Sequence, residues 1–132
     1  IMLYKKNIIN IIIDWLLVFL WLSLIFYLSS IPGLSSGWDV FWDVLWRKFA
    51  HAGEFMILNW LLYRALKKSF KLNFPCLLFL SFAFSVFYAV FDEIHQFFVP
   101  ARQCRLLDVG IDSLGACFGS LIILFSRIIN YI

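Results

Sequence analysis

The chain has 132 residues, of which 64% are hydrophobic and 20% aromatic, with a mean hydropathy of +0.92. Soluble domains average about 45–50% apolar residues, and one this small could not bury such a surplus, so the composition excludes a water-soluble fold and points to an integral membrane protein. The net charge of +3 is small, and Lys and Arg stand at the ends of apolar runs rather than in a patch, which excludes nucleic acid as a partner.

Residues 8–28 make the first predicted span, long enough to cross a hydrocarbon core of about 30 Å. Lys5 and Lys6 precede this run and Ser29 and Ser30 follow it. It is long for a signal-peptide core and no A-x-A site follows it, so it reads as a span rather than a cleaved leader. Asp14 interrupts it near its start, and is expected to reach the interface or to pair with a basic side chain there. A turn-rich break follows, SSIPGLSSG, punctuated by Pro32, Gly33 and Gly37. Trp38, Trp42 and Trp46 then recur every fourth residue, with Asp39 and Asp43 on a neighbouring face and Arg47 four residues after Asp43. This pattern predicts a short amphipathic helix at the membrane interface that runs into the next span.

The second span covers about 44–66. Its first half carries Lys48, His51 and Glu54, and Arg64, Lys67, Lys68 and Lys71 close it. The third covers about 75–98, with Asp92, Glu93, His95 and Gln96 near its end. After a short basic loop containing Arg102 and Arg105, a fourth covers about 108–129. The predicted architecture is all-α: a four-helix membrane bundle in one unit, residues 1–132. Cys76, Cys104 and Cys117 are odd in number and lack metal-site spacing, so all three are expected unpaired.

The basic residues at the N-terminus and between spans two and three belong in the cytoplasm by the positive-inside rule. Both termini are then cytoplasmic. Lys48, His51 and Glu54 fall at the outer end of span two, Asp92, Glu93 and His95 at the outer end of span three, and Asp108 and Asp112 at the outer start of span four. Three segments distant in sequence thus place ionisable groups at one depth, where charge is expensive and rarely idle. Tyr88, Asp92 and Gln96 share a stripe, with Ser85. Gly115 and Gly119 are spaced to admit a second helix closely, bringing Asp112 against span two or three.

Singly, each residue has an ordinary reading. Asp108 is a candidate N-cap, Asp112 a partner for Lys48, and Glu93 a partner for Arg102 or Arg105; the histidines could be hydrogen-bonded interior residues. Together they support two kinds of site, with a purely structural ion-pair cluster as the third reading. In one, a divalent metal is held by His51, Glu54, Asp92, Glu93 and His95. In the other, Lys48 and Arg102 hold an anionic group such as a lipid phosphate, Tyr88, Gln96 and Asp112 complete its pocket, and the pairs His51–Glu54 and His95–Asp92 move protons.

These residues also carry a resemblance. SSIPG after the first span, Lys48-x-x-His51-x-x-Glu54-Phe55, Ser85-x-x-Tyr88-Ala89-x-x-Asp92-Glu93-x-His95-Gln96-x-Phe98-x-Pro100-x-Arg102, and Asp108-x-x-x-Asp112-x-x-Gly115-x-x-x-Gly119 together resemble the VanZ-like family over nearly the whole chain. The chain departs from that pattern at Ala101, where the family tends to have Gly, and at Asp112, where it often has Asn. The resemblance implies a bacterial inner (plasma) membrane protein of the cell envelope. It also implies a link to resistance against teicoplanin, a lipid-bearing glycopeptide that acts outside the membrane on cell-wall precursors. The expected partners are therefore membrane lipids and a lipid-linked cell-wall precursor or the lipoglycopeptide itself. The alternative is a non-catalytic structural or partner protein of envelope assembly, whose charged layer only packs the helices.

Overall fold

The computed structural model describes residues 2–32, 40–100, 102 and 105–129. Within these the chain forms four α-helices: α1 (Met2–Ser30), α2 (Val40–Ser69), α3 (Phe74–Phe97) and α4 (Leu106–Ile129). There is no strand among the described residues. The all-α membrane bundle expected from composition is what the chain builds. Three helices are long and apolar enough to cross a membrane: α1 from Ile8, α3 and α4. α2 is not among them, because Asp43, Arg47, Lys48, Glu54 and Arg64 dilute its apolar character. Its 30 residues still extend about 45 Å, and it packs against all three other helices. Its polar groups can therefore face protein rather than lipid.

Local chemistry sets the helix ends. α1 stops just before Pro32, which has no N–H to donate and disfavours helical geometry in the residue before it. Asn73 caps α3: its side-chain oxygen accepts from the Cys76 N–H at 3.0 Å, and Pro75 sits in the first turn. The short interfacial helix expected before span two is not a separate element among the described residues. Trp42, Asp43 and Trp46 instead form the first turns of α2, since neither Pro nor Gly interrupts the helix between Val40 and Lys48. Trp42 and Trp46 are exposed there and Asp43 is buried, which matches the predicted faces. Gly33, Gly37, Trp38, Asp39, Ala101 and Cys104 lie outside the described residues. Cys76 and Cys117 are free thiols.

Contacts at the two ends fix the topology. The start of α1 meets the end of α2, where Trp15 Nε1 donates to Ser69 Oγ at 2.9 Å. There the buried Asp14 faces Arg64 at 2.7 Å and Lys68 at 2.6 Å, so the expected basic partner is found twice over. Arg127, in the last turn of α4, lies over the Phe74 ring at the start of α3. At the opposite end Ser30 of α1 meets His95 of α3, and Lys48 of α2 meets Asp108 of α4. The chain thus runs up and down, with α2 parallel to α4.

Between these ends the interior is mostly apolar, with Asn59, Ser81 and Ser85 the fully buried polar residues among those described. Val18 and Ile25 of α1, Phe55, Leu58, Leu61, Leu62 and Ala65 of α2 and Ala89 of α3 form the core. Large side chains such as Phe19, Leu20, Phe79, Phe87, Phe118 and Phe125 point outward, where lipid covers them. The expected small-residue contact pairs α4 with α2. A Cβ on Gly115 would run into the Ala52 carbonyl, and one on Gly119 would lie 2.8 Å from the Met56 carbonyl oxygen. Asn59, fully buried on α2, donates to the Ala116 carbonyl and to Ser120 Oγ, both at 2.9 Å.

Gly115→Val is therefore expected to lower the thermal midpoint in detergent sharply, with overpacking of about 1–3 kcal/mol or more. Gly110→Ala has open space around its new methyl. It should be neutral or stabilise α4 by up to about 1 kcal/mol. Equal melting of the two variants would contradict the helix contact.

Candidate functional site

The end of the bundle opposite Asp14, Arg64 and Lys68 holds a cavity of about 250 Å³ between α2, α3 and α4. Four cationic side chains line it: Arg47 and Lys48 from α2, and Arg102 and Arg105 from the α3–α4 loop. Glu93, Asp108 and Asp112 line it too, with His51 and Gln96. The four cations thus outnumber the three carboxylates in the lining. Three distant segments do meet at one depth, as the sequence spacing requires of an up-and-down bundle.

Individual partners differ from several expectations. Lys48 Nζ pairs with Asp108 at 2.6 Å, not with Asp112. The two possible acids are one turn apart, and the parallel α2–α4 packing brings the earlier one level with Lys48. Asp108 is not the N-cap either. α4 begins at Leu106, so Asp108 lies within the first turn, where a carboxylate suits the helix dipole. Glu93 Oε1 accepts from the Arg105 backbone N–H at 2.5 Å and so anchors the loop.

Asp112 sits one turn deeper than Asp108 and is buried, and its Oδ1 has no hydrogen-bond partner among the described residues. His51 Nδ1 and Glu54 Oε2 lie 3.2 Å apart, so the expected pair is formed as an ion-pair contact. Both atoms are nevertheless buried without an aligned hydrogen bond. The distance establishes the pairing of the two groups.

The expected His95–Asp92 pair is not formed. His95 turns to α1, where Nε2 lies 3.0 Å from Ser30 Oγ and the ring stacks on Phe26. Asp92 is buried beneath the cavity and takes the Gln96 amide on Oδ2 at 2.9 Å, while Oδ1 has no aligned donor among the described residues. Ser29 of α1 lies beside this carboxylate. Tyr88 does not present its hydroxyl to the cavity, because it donates to the Leu22 carbonyl at 2.9 Å. Among the described residues no three His, Cys, Asp or Glu side chains are placed to hold one metal ion. His95 in particular stands apart from His51 and Glu54.

Arg102 has a second task. Its guanidinium donates to the Leu28 carbonyl at 3.2 Å and to the Ile31 carbonyl at 3.1 Å, satisfying oxygens left over at the end of α1. Burial lowers its pKa below the ordinary arginine value, and the nearby Arg47 adds to this, while Asp92, Glu93 and Glu54 act in the opposite direction. Arginine stays protonated in proteins, so Arg102 is a fixed charge in the cavity wall.

In a comparison with protein families, a family model described as VanZ/LLP1 matches residues 13–128. The chain belongs to the VanZ/LLP1 family. No curated protein and no solved structure matches it. In this VanZ/LLP1 chain the sequence reading missed Arg47, which lines the cavity, Asn59, which ties α2 to α4, and Ser30, which meets His95. Arg47 was visible as the basic residue one position before Lys48. Ser30 stood in the sequence only as part of SSIPG, with nothing to tie it to His95, and Asn59 as a lone amide in an apolar run.

The Lys48–Asp108 pair is about one-third exposed on each side, so solvent screening limits its value. A double-mutant cycle with Lys48→Ala and Asp108→Ala should give a coupling of about 0.2–1 kcal/mol in detergent unfolding. A coupling of several kcal/mol would mean that the pair acts as a buried structural link.

Proposed function

We propose that this VanZ/LLP1 protein lies in the bacterial plasma membrane with both termini cytoplasmic, and that its cavity binds the anionic head group of a lipid-linked envelope component at the outer face. The observation that carries this reading is the cluster of Arg47, Lys48, Arg102 and Arg105 around one cavity. Such cations attract phosphate strongly, and arginine does so with two parallel donors. The orientation rests on Arg64, Lys67, Lys68 and Lys71 at the opposite end of the bundle. The family's association with teicoplanin suits an outward-facing site, since occupancy of a cell-wall lipid would change what the lipoglycopeptide meets.

Any chemistry would centre on His51 and Glu54. The imidazole beside a half-buried carboxylate can accept a proton and hold the resulting charge. A second reading, a purely structural charged layer, is favoured by the engagement of Lys48 with Asp108 and of Arg102 with α1. Binding separates the two. With the purified protein in detergent, native mass spectrometry should show phosphatidate adducts that Lys48→Ala reduces about tenfold, corresponding to about 1.4 kcal/mol. Adducts that are equal in both proteins would leave the structural reading. Glu54→Gln should keep phosphatidate binding and fold, and abolish turnover wherever a reaction is assayed.

Orientation has its own test. In a cysteine-free background, Leu107→Cys should react with a membrane-impermeant maleimide added to intact cells, and Lys71→Cys only after lysis. The reverse pattern would invert the topology and move the cavity to the cytoplasmic face.

A further inference from the structure

Three carboxylates line the cavity: Asp108 pairs with Lys48, Glu93 takes the Arg105 N–H, and Asp112 lies one turn deeper than Asp108, at the base, with Glu54 and Asp92 packed beyond the lining. Beneath the level of Lys48 and Asp108 lie Glu54 of α2, Asp92 of α3 and Asp112 of α4. Counting residues along each helix, from Lys48 to Glu54, Gln96 to Asp92 and Asp108 to Asp112, this base is about 6–9 Å below the rim. Asp92 and Asp112 are 1% and 3% exposed. Each of the three acids has one buried oxygen without an aligned donor among the described residues: Glu54 Oε2, Asp92 Oδ1 and Asp112 Oδ1. The nearby imidazole of His51 is a single cation at most, set against three carboxylates. Buried charge is tolerated when it is paired and hydrogen-bonded, and an unmet buried acceptor is costly.

From this we infer that the ligand is zwitterionic: a phosphate ester carrying a primary ammonium on a short arm, as in a phosphoethanolamine head group. The inference rests on the anion-binding reading above and narrows it. The phosphate lies among Arg47, Lys48, Arg102 and Arg105 at the rim. The ammonium points inward, past His51 and Asp112, both of which line the cavity. An ammonium has three N–H donors and no acceptor; at the base Asp112 Oδ1 has no donor among the described residues, Glu54 Oε2 meets only His51 Nδ1, unaligned at 3.2 Å, and Asp92 Oδ1 has only the Ser29 hydroxyl nearby. A purely anionic head group leaves Asp112 Oδ1 unmet. Charges of opposite sign at two depths also orient the ligand, because inverting it would bring like charges together.

The test compares lipids on the unaltered full chain in detergent, read by native mass spectrometry. The probes are phosphatidylethanolamine, its N-acetylated form and phosphatidylglycerol. Phosphatidylethanolamine should bind at least tenfold more tightly than the other two, since N-acetylation removes the ammonium and keeps the phosphate. Asp112→Asn should erase this preference while retaining phosphatidylglycerol adducts, and Asp92→Asn serves in its place where Asp112→Asn is unstable. Competition by soluble O-phosphoethanolamine but not by inorganic phosphate supports recognition of the head group alone. Lipid binding that neither displaces supports a membrane lipid as the source. Equal binding of phosphatidylethanolamine and its N-acetylated form overturns the inference and leaves the anion site standing. Absence of adducts with every lipid, phosphatidate included, overturns the anion site as well.

Discussion

The backbone contact between α2 and α4 is the constraint on which the rest of the structure depends. Where Ala52 faces Gly115 there is no room for a side chain. Lipid offers no hydrophobic drive to push helices together, so association rests on close packing and interhelical hydrogen bonds. The Gly115 contact supplies the first and Asn59 the second, through the Ala116 carbonyl and Ser120. With the two helices held parallel at this point, residues one or two turns toward their N-termini must meet. Lys48 therefore finds Asp108, and His51 and Asp112 share a cavity wall.

α2 is the least apolar helix because it is the most enclosed. Its neighbours turn phenylalanine, leucine and isoleucine toward lipid and present Asp14, Asp92 and Asp112 inward. At the basic end the arrangement is simple: one buried carboxylate faces Arg64 and Lys68, whose cationic ends approach the surface. Long basic side chains allow this, since their apolar stems lie along protein while the charge reaches water. The cavity end differs in kind. There Asp108 and Glu93 engage Lys48 and the Arg105 N–H near the rim, while Asp92 and Asp112 lie deeper, and Asp112 Oδ1 has no donor among the described residues. A layer built only for packing would be expected to pair these groups off, since a half-satisfied polar network is less stable than an apolar one.

Much of this was legible in the sequence. The depth of the polar layer followed from span lengths and basic ends, because an up-and-down chain must return its charges to the same side. The Gly115–Gly119 contact and the His51–Glu54 pair followed from spacing, and a basic partner for Asp14 was one of the two readings that its place in the span allowed. What failed was the choice between candidates one turn apart. Asp108 and Asp112 are both acids on one stripe, and only the register of α4 against α2 decides which meets Lys48. His95 was assigned to Asp92 because the two lie three residues apart, yet the end of α1 competes for the imidazole with Phe26 and Ser30. Spacing describes one helix and carries no information about a neighbour's side chains. The same holds for Tyr88 and Arg102, whose partners are backbone carbonyls of α1. A carbonyl is present at every residue and so leaves no mark in the sequence.

Those carbonyl contacts bear on how the site works. Arg102 joins the α3–α4 loop to the end of α1, and Glu93 holds the same loop from α3 through the Arg105 N–H. The loop that supplies two of the four cavity cations is therefore positioned from both sides by groups that never need to touch a ligand. Arg102 is shared between these roles: its guanidinium has five donors, and the contacts to Leu28 and Ile31 use only part of that capacity. Loss of Arg102 would release the end of α1 and remove a charge from the cavity together, so its substitution alone cannot separate support from recognition. Arg47 is bound to the Asp43 carbonyl within its own helix, and Lys48 is bound to an acid of α4. Of the three, Lys48 can be shortened with the least disturbance to the frame, because its single partner remains partly in contact with water. Asp108, left behind, is solvated rather than stranded, so a change in ligand affinity on shortening Lys48 reports the cavity's charge and not a collapse of its walls.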